Sequence, residues 1–123
     1  IFNAKESQYS NLILDYCGVL DTFAKEIEYA IKNNIVEKDG IIAVTLSKIG
    51  LQNDNGIIGE IFKKTPYEFY NTTLSKTELG VKLFFNNIMS KEYEMETVFN
   101  YTDKKDNGNT GMAMILVIIR RIE

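Results

Sequence analysis

The chain has 123 residues, 45% hydrophobic and 25% charged, with a formal net charge of −3. That size and balance suit one domain with a real core. They argue against global disorder and against a nucleic-acid polymer as partner, because phosphate contacts need clustered Lys and Arg. There is no histidine, which removes Ser-His and Cys-His catalysis and the usual zinc and iron ligand sets, and the single cysteine, Cys17, excludes an intrachain disulfide.

Ser7 or Ser10 can cap a helix start. Leu12, Tyr16, Val19, Phe23, Ile27, Ala30 and Ile31 then recur at helical spacing, with Asp21–Lys25 and Glu28–Lys32 as favourable i,i+4 pairs. Asn33-Asn34 suits a helix end. The spacing predicts one long helix from about Ser7 to Asn33, with Cys17 buried in it as a small apolar residue. Gly18 inside that helix suggests a close helix–helix crossing or a tolerated defect.

Asp39-Gly40 reads as a turn and Ile41 to Leu51 as a strand rich in β-branched residues. Asn53-Asp54-Asn55-Gly56 is the strongest turn signal, with Ile57 to Phe62 expected as the returning strand of a hairpin. After Pro66, Tyr67 to Leu74 reads as a short strand or ordered loop. Leu79 to Met89 reads as a strand with Val81, Leu83 and Phe85 on one face and Lys82, Phe84 and Asn86 on the other. Tyr93 to Tyr101 alternates, with Tyr93, Met95, Thr97, Phe99 and Tyr101 sharing a face. Thr102 to Thr110 reads as an exposed hairpin loop, and Met112 to Ile122 as an apolar strand, central in the sheet or covered on both sides. The fold class expected is α+β: a long N-terminal amphipathic helix on an antiparallel meander of five or six strands, in a single domain spanning 1–123. No stretch is long and apolar enough to span a bilayer, so no membrane is expected as a partner. The chain starts at Ile1, which suggests a lost initiator Met or upstream segment.

No strong catalytic motif is present, so no enzyme activity, cofactor or metal is expected. Gly56 to Glu60 lacks the Lys of a phosphate loop. Glu94 and Glu96 form a solvated pair more readily than an acid–base pair. Two features suggest binding. Arg120 and Arg121, the chain's only arginines, must face opposite sides of a strand, and one can hold a phosphate or carboxylate bidentately. Phe69, Phe84, Phe99 and their aromatic neighbours supply stacking faces, and Phe84 with Asn86 on one face offers a stack and an amide. Candidate ligand-binding residues are therefore Phe69, Phe84, Asn86, Phe99, Arg120 and Arg121.

The long helix, VTLSKIGLQNDNGIIGE at Val44 to Glu60, LGVKLFF at Leu79 to Phe85 and MAMILVIIRRI at Met112 to Ile122 resemble, in that order, the first-described family of phage anti-Thoeris proteins. The resemblance implies a helix-plus-sheet fold in a homo-oligomer with pockets at subunit junctions. It implies a sponge, acting in the cytoplasm of an infected bacterium, that sequesters a cyclic ADP-ribose-type signal made by TIR-domain proteins. Some of that family also bind cyclic oligonucleotides.

Two other readings stand beside it. One is an immunity protein that meets a basic toxin through an acidic face such as Glu94, Glu96 and Asp103. The other is the exposed domain of a pilin-like surface protein, suggested by the start at Ile1 and the N-terminal helix.

Overall fold

The computed structural model describes residues 1–16, 18–49, 51, 55–102 and 112–123. In chain order they form β1 (Leu12–Asp15), α1 (Leu20–Lys32), β2 (Ile41–Ser47), α2 (Ile57–Lys64), a 3-10 turn (Tyr67–Phe69), α3 (Lys76–Ile88), β3 (Tyr93–Thr102) and β4 (Ala113–Arg121). The sheet order is β1-β2-β4-β3. β1 pairs parallel with β2, while β4 runs antiparallel to both β2 and β3.

The chain is α+β, but the layout expected from the sequence is overturned. Among the described residues, three helices and a four-stranded mixed sheet replace one long helix and an antiparallel meander of five or six strands. The span expected as a single helix over 7–33 is a strand followed by a shorter helix. Leu12 and Leu14 point inward and Ile13 outward, and this period of two is satisfied by the parallel register Leu12↔Ile42, Ile13↔Ala43, Leu14↔Val44. A parallel partner lies a whole crossover away in sequence, so local spacing cannot reveal it. The expected caps serve other purposes. Ser7 has φ +55° and accepts a bond from Arg121, whereas α1 starts behind Val19 without a side-chain cap. Cys17, placed inside the long helix by its spacing, lies outside the described residues.

The strands expected at 57–62 and 79–89 are helices α2 and α3. Both carry helical signals that β-branched and aromatic content masks. Ile58 and Phe62 are four apart and buried together. Ser75 Oγ accepts from the Glu78 backbone N–H and its hydroxyl donates to the Glu78 carboxylate, an N-cap at the Ser-x-x-Glu spacing that marks a helix start. Val81, Phe84 and Phe85 then fall on the buried side of α3. Of the expected Asn53–Gly56 turn, residues 53 and 54 lie outside the described residues and Gly56 is the N-cap of α2; most of the expected loop at 102–110 also lies outside them.

β3 departs from simple alternation at one point. The register slips between Met95 and Thr97, leaving Glu96 as a bulge. Tyr93 and Met95 therefore share the face of Arg121 and Ile119, whereas Thr97, Phe99 and Tyr101 switch to the face of Ile118, Leu116 and Met114. The single shared face expected for these five residues is thus split.

Ile42, Val44, Ile115, Val117 and Ile119 of the sheet, Leu20, Ile27 and Ile31 of α1, and Val81 and Phe85 of α3 belong to one buried cluster. Burying side chains of this size removes about 1.5–3 kcal/mol each of hydrophobic exposure, offset by chain entropy. β4 occupies the centre of this arrangement, and at its end the two arginines part as strand geometry requires. Arg120 stays at the surface, bonded to Glu96 and to the Asp39 carbonyl, and the Glu96 carboxyl is held below its usual range by that bond. Arg121 is buried. Its Nη1 donates to the Val36 carbonyl (2.8 Å), Ser7 Oγ (3.1 Å) and the Asn34 carbonyl (3.4 Å), and its Nε donates to the Glu123 carbonyl (2.9 Å). One guanidinium thus ties the N-terminal segment, the α1–β2 connection and the chain end to β4. Arg121→Ala leaves several carbonyls unpaired and is expected to cost about 2–4 kcal/mol in urea unfolding. Arg120→Ala, which removes an exposed pair, is expected to leave the midpoint near wild type.

Tyr93 lies opposite Arg121 in the register and is buried. Burial pushes its phenol up to about 12, with Arg121 partly opposing the shift. The folded state therefore holds this proton after the unfolded chain has lost it. The associated stability is complete below the ordinary tyrosine value of 10.0 and is lost as pH rises from there through about 12. Tyr16 is shifted in the same direction by burial and by its bond to Glu26. Chemical denaturation across pH 9 to 12 is expected to show falling stability, with a shallower fall in Tyr93→Phe. An equally steep fall in the variant would place the alkaline sensitivity elsewhere.

Candidate ligand-binding cleft

α2 and α3 pack against each other at Gly80. A Cβ there would stand 2.3 Å from Ile58 Cγ2 and 3.1 Å from a Phe62 ring carbon, so the close approach depends on the missing side chain. The start of α2 is fixed by a tertiary bond, the Ile57 backbone N–H donating to Asp21 Oδ1 at 2.7 Å. Phe62 is wedged edge-on between Tyr67 and Tyr70, each ring centroid 6.0 Å away. The Tyr67 hydroxyl donates to the Leu74 carbonyl at 2.6 Å and closes the connection between the helices.

On one side of this contact the helices leave a cleft of about 430 Å³. α2 contributes Ile57, Glu60, Ile61 and Lys64, spaced as one helical face, and α3 contributes Leu83, Phe84 and Asn87. Thr65 and Tyr70 line it from the connection. The lining is mostly apolar and aromatic, with a carboxylate, an ammonium, an amide and hydroxyls around it, which is the usual make-up of a small-molecule site. Among the described residues no ion pair engages Lys64, whereas Glu60 meets Lys63 at 2.8 Å. Phe84 is held edge-to-face on Phe85 at 5.3 Å and is 7% exposed, so only its edge meets the cleft.

Of the six residues singled out in the sequence, the fold brings only Phe84 into the cleft. Asn86 is exposed on α3, and its neighbour Asn87 takes the cleft position instead. Phe69 is 77% exposed on the 3-10 turn, one residue before Tyr70. Phe99 is 56% exposed on the sheet, stacked on Tyr101 at 6.3 Å. Arg120 and Arg121 are engaged at the end of β4 as described, and the pairing of Phe84 with Asn86 on one strand face does not exist because the segment is helical. Tyr70 belongs to the aromatic supply noted in the sequence, whereas Ile57, Ile61, Lys64, Leu83 and Asn87 escaped that reading because α2 and α3 were expected as strands. The four-residue spacings in α2 and α3 and the Ser75–Glu78 box were the signals that could have found them.

No protein-family model matches the chain, and no curated protein matches it. A solved structure of a SAM-dependent methyltransferase from Anabaena variabilis ATCC 29413 is similar over 90% of this chain, with 12% sequence identity and a TM-score of 0.44. The chain spans about half of that protein, 49% of its length.

Proposed function

We propose that this chain is a non-catalytic binding domain that takes up a cyclic ADP-ribose-type nucleotide in the α2–α3 cleft. The observation that carries the reading is the cleft itself: a concave space of about 430 Å³ with an aromatic wall and a few polar groups at its edge. Phe84, which is 7% exposed, and Tyr70 are the rings that line the space a base would enter, and Lys64, Thr65 and Asn87 offer donors to a pyrophosphate. In this reading the protein withdraws an immune signal and so blunts TIR-dependent anti-phage defence. The long N-terminal helix and antiparallel meander expected from the sequence are not this chain's fold; the proposal rests on the cleft, and its ligand class is the one the family resemblance implies.

The alternative, a toxin-neutralising immunity protein, has less behind it. Of its acidic face, Glu96 is already bonded to Arg120 and Asp103 lies outside the described residues.

Calorimetry and thermal shift with cyclic ADP-ribose isomers test the proposal. Saturable binding with a rise in Tm is expected, as is recovery of intact ligand by mass spectrometry after release. Lys64→Ala is expected to weaken binding about tenfold or more while leaving the Tm of the free protein unchanged. Absence of binding by every isomer would remove the ligand class, and recovery of cleaved ligand would replace sequestration by catalysis.

A further inference from the structure

We propose that two copies of this chain join through the free edge of β3, pairing antiparallel about a two-fold axis at Asn100 to make one continuous sheet. β3 ends the strand order β1-β2-β4-β3, and among the described residues no strand pairs with its outer side. The hydrogen-bond alternation shows which backbone groups are left there. The Arg121 N–H donates to the Gly40 carbonyl and the Lys48 N–H to the Ala113 carbonyl, so the odd-numbered residues of β4 bond toward β2. The even-numbered ones face β3, where they meet Thr97, Phe99 and Tyr101. The backbone N–H and C=O groups of Val98, Asn100 and Thr102 therefore point out of the sheet edge. Such a row of alternating donors and acceptors is matched by another strand.

The edge is guarded at one end and open at the other. Its first half carries Glu94 and the bulge at Glu96, and charge and bulges both discourage pairing. Its second half, Thr97-Val98-Phe99-Asn100-Tyr101-Thr102, has no charge, proline or glycine and is dominated by strand-favouring Thr, Val, Phe and Tyr. A copy of the same segment fits it. With Asn100 opposite its twin, Val98 meets the partner's Thr102 and Phe99 meets the partner's Tyr101. No like charges are opposed, and the stack of Phe99 on Tyr101, 6.3 Å between centroids, continues across the junction as a ladder of rings. The axis falls where a polar atom lacks a partner, since Asn100 Oδ1 is buried without a hydrogen bond. An amide carries both an acceptor and donors, so two Asn100 side chains on one face of a two-fold pair satisfy each other. Symmetry brings the matching amide to that point.

Light scattering on the whole chain over a dilution series is expected to show a reversible monomer–dimer equilibrium of the weak class that a small interface supports, with dimer prevailing at about 1 mM. Hydrogen exchange by NMR at both ends of the series identifies the surface. The amides of Val98, Asn100 and Thr102 are expected to exchange about tenfold or more slower in the concentrated sample, while those of Thr97, Phe99 and Tyr101, already facing β4, change little. Asn100→Asp sets two carboxylates against each other on the axis and is expected to raise the dimer's dissociation constant about tenfold or more. Thr102→Lys, a change at an exposed edge position, is expected to do the same while the circular dichroism stays that of wild type. A monomer at about 1 mM, a dimer that both variants leave intact, or a dimer whose slowed amides do not alternate along β3 would overturn the proposal, the last by placing the contact on a face of the molecule. The α2–α3 cleft takes no part in this pairing, so failure of nucleotide binding would leave the result untouched.

Discussion

The parallel connections step across the sheet in one direction, from β1 to β2 through α1 and from β2 past β4 to β3 through α2 and α3. Connections of this kind share a right-handed turn because a right-twisted strand feeding a helix packs back onto the sheet only that way. Two steps of the same hand in the same direction put every helix on one face. α1 and α3 accordingly meet and share one core over Ile42, Val44, Val117 and Ile119. The rest of the structure follows from that constraint. α2 has no room on the sheet beside α1 and α3, so it packs on α3, and the α2–α3 cleft is the space left by that stacking. The opposite face keeps its half-buried Ala43, Ile118 and Leu116 and its exposed Ile13 and Phe99.

β4 holds the two faces and both ends together. It accepts β2 on one side and β3 on the other, and its last residues divide two tasks that the sequence leaves undecided. Two adjacent arginines on a strand must point apart, but which one turns inward depends on the register with β2 and β3. Arg121 falls opposite buried Tyr93 and becomes a structural tie for backbone carbonyls, whereas Arg120 falls opposite Glu94 at the surface. A pair that resembles an anion site in one dimension is, in three, a clamp and a surface ion pair.

How much of this was legible follows the reach of each signal. β4 as a central apolar strand and the end of α1 near Asn33 rest on local patterns and appear within a residue or two of where the spacing puts them. β1 was illegible because its stability comes from a parallel partner about thirty residues away, and Leu12 and Tyr16 also fit a helical stripe. α2 and α3 were misread because Ile and Phe favour strands locally, and their burial against Gly80, Phe62 and Phe85 outweighs that preference. The bulge at Glu96 left no trace in an alternating sequence, yet it moves Phe99 from the core face to the bare one. The candidate site inherits these errors: Phe84 was found for its ring, whereas Lys64, Tyr70 and Asn87 depend on helical spacing and on a connection that only the fold brings round.

The cleft couples these two levels, since it exists only if α2 and α3 are helices crossing at Gly80 and it functions only if its aromatic wall is open to a ligand. Backbone amide NMR during titration with a cyclic ADP-ribose isomer reads both at once. Progressive shifts confined to 57–65, Tyr70 and 83–87, with the signals of β4 and the Ile13 face unmoved, are the expected result. Shifts centred on Phe99 and Arg120 instead, or strand-like chemical shifts for 57–64, would contradict a ligand site between these two helices.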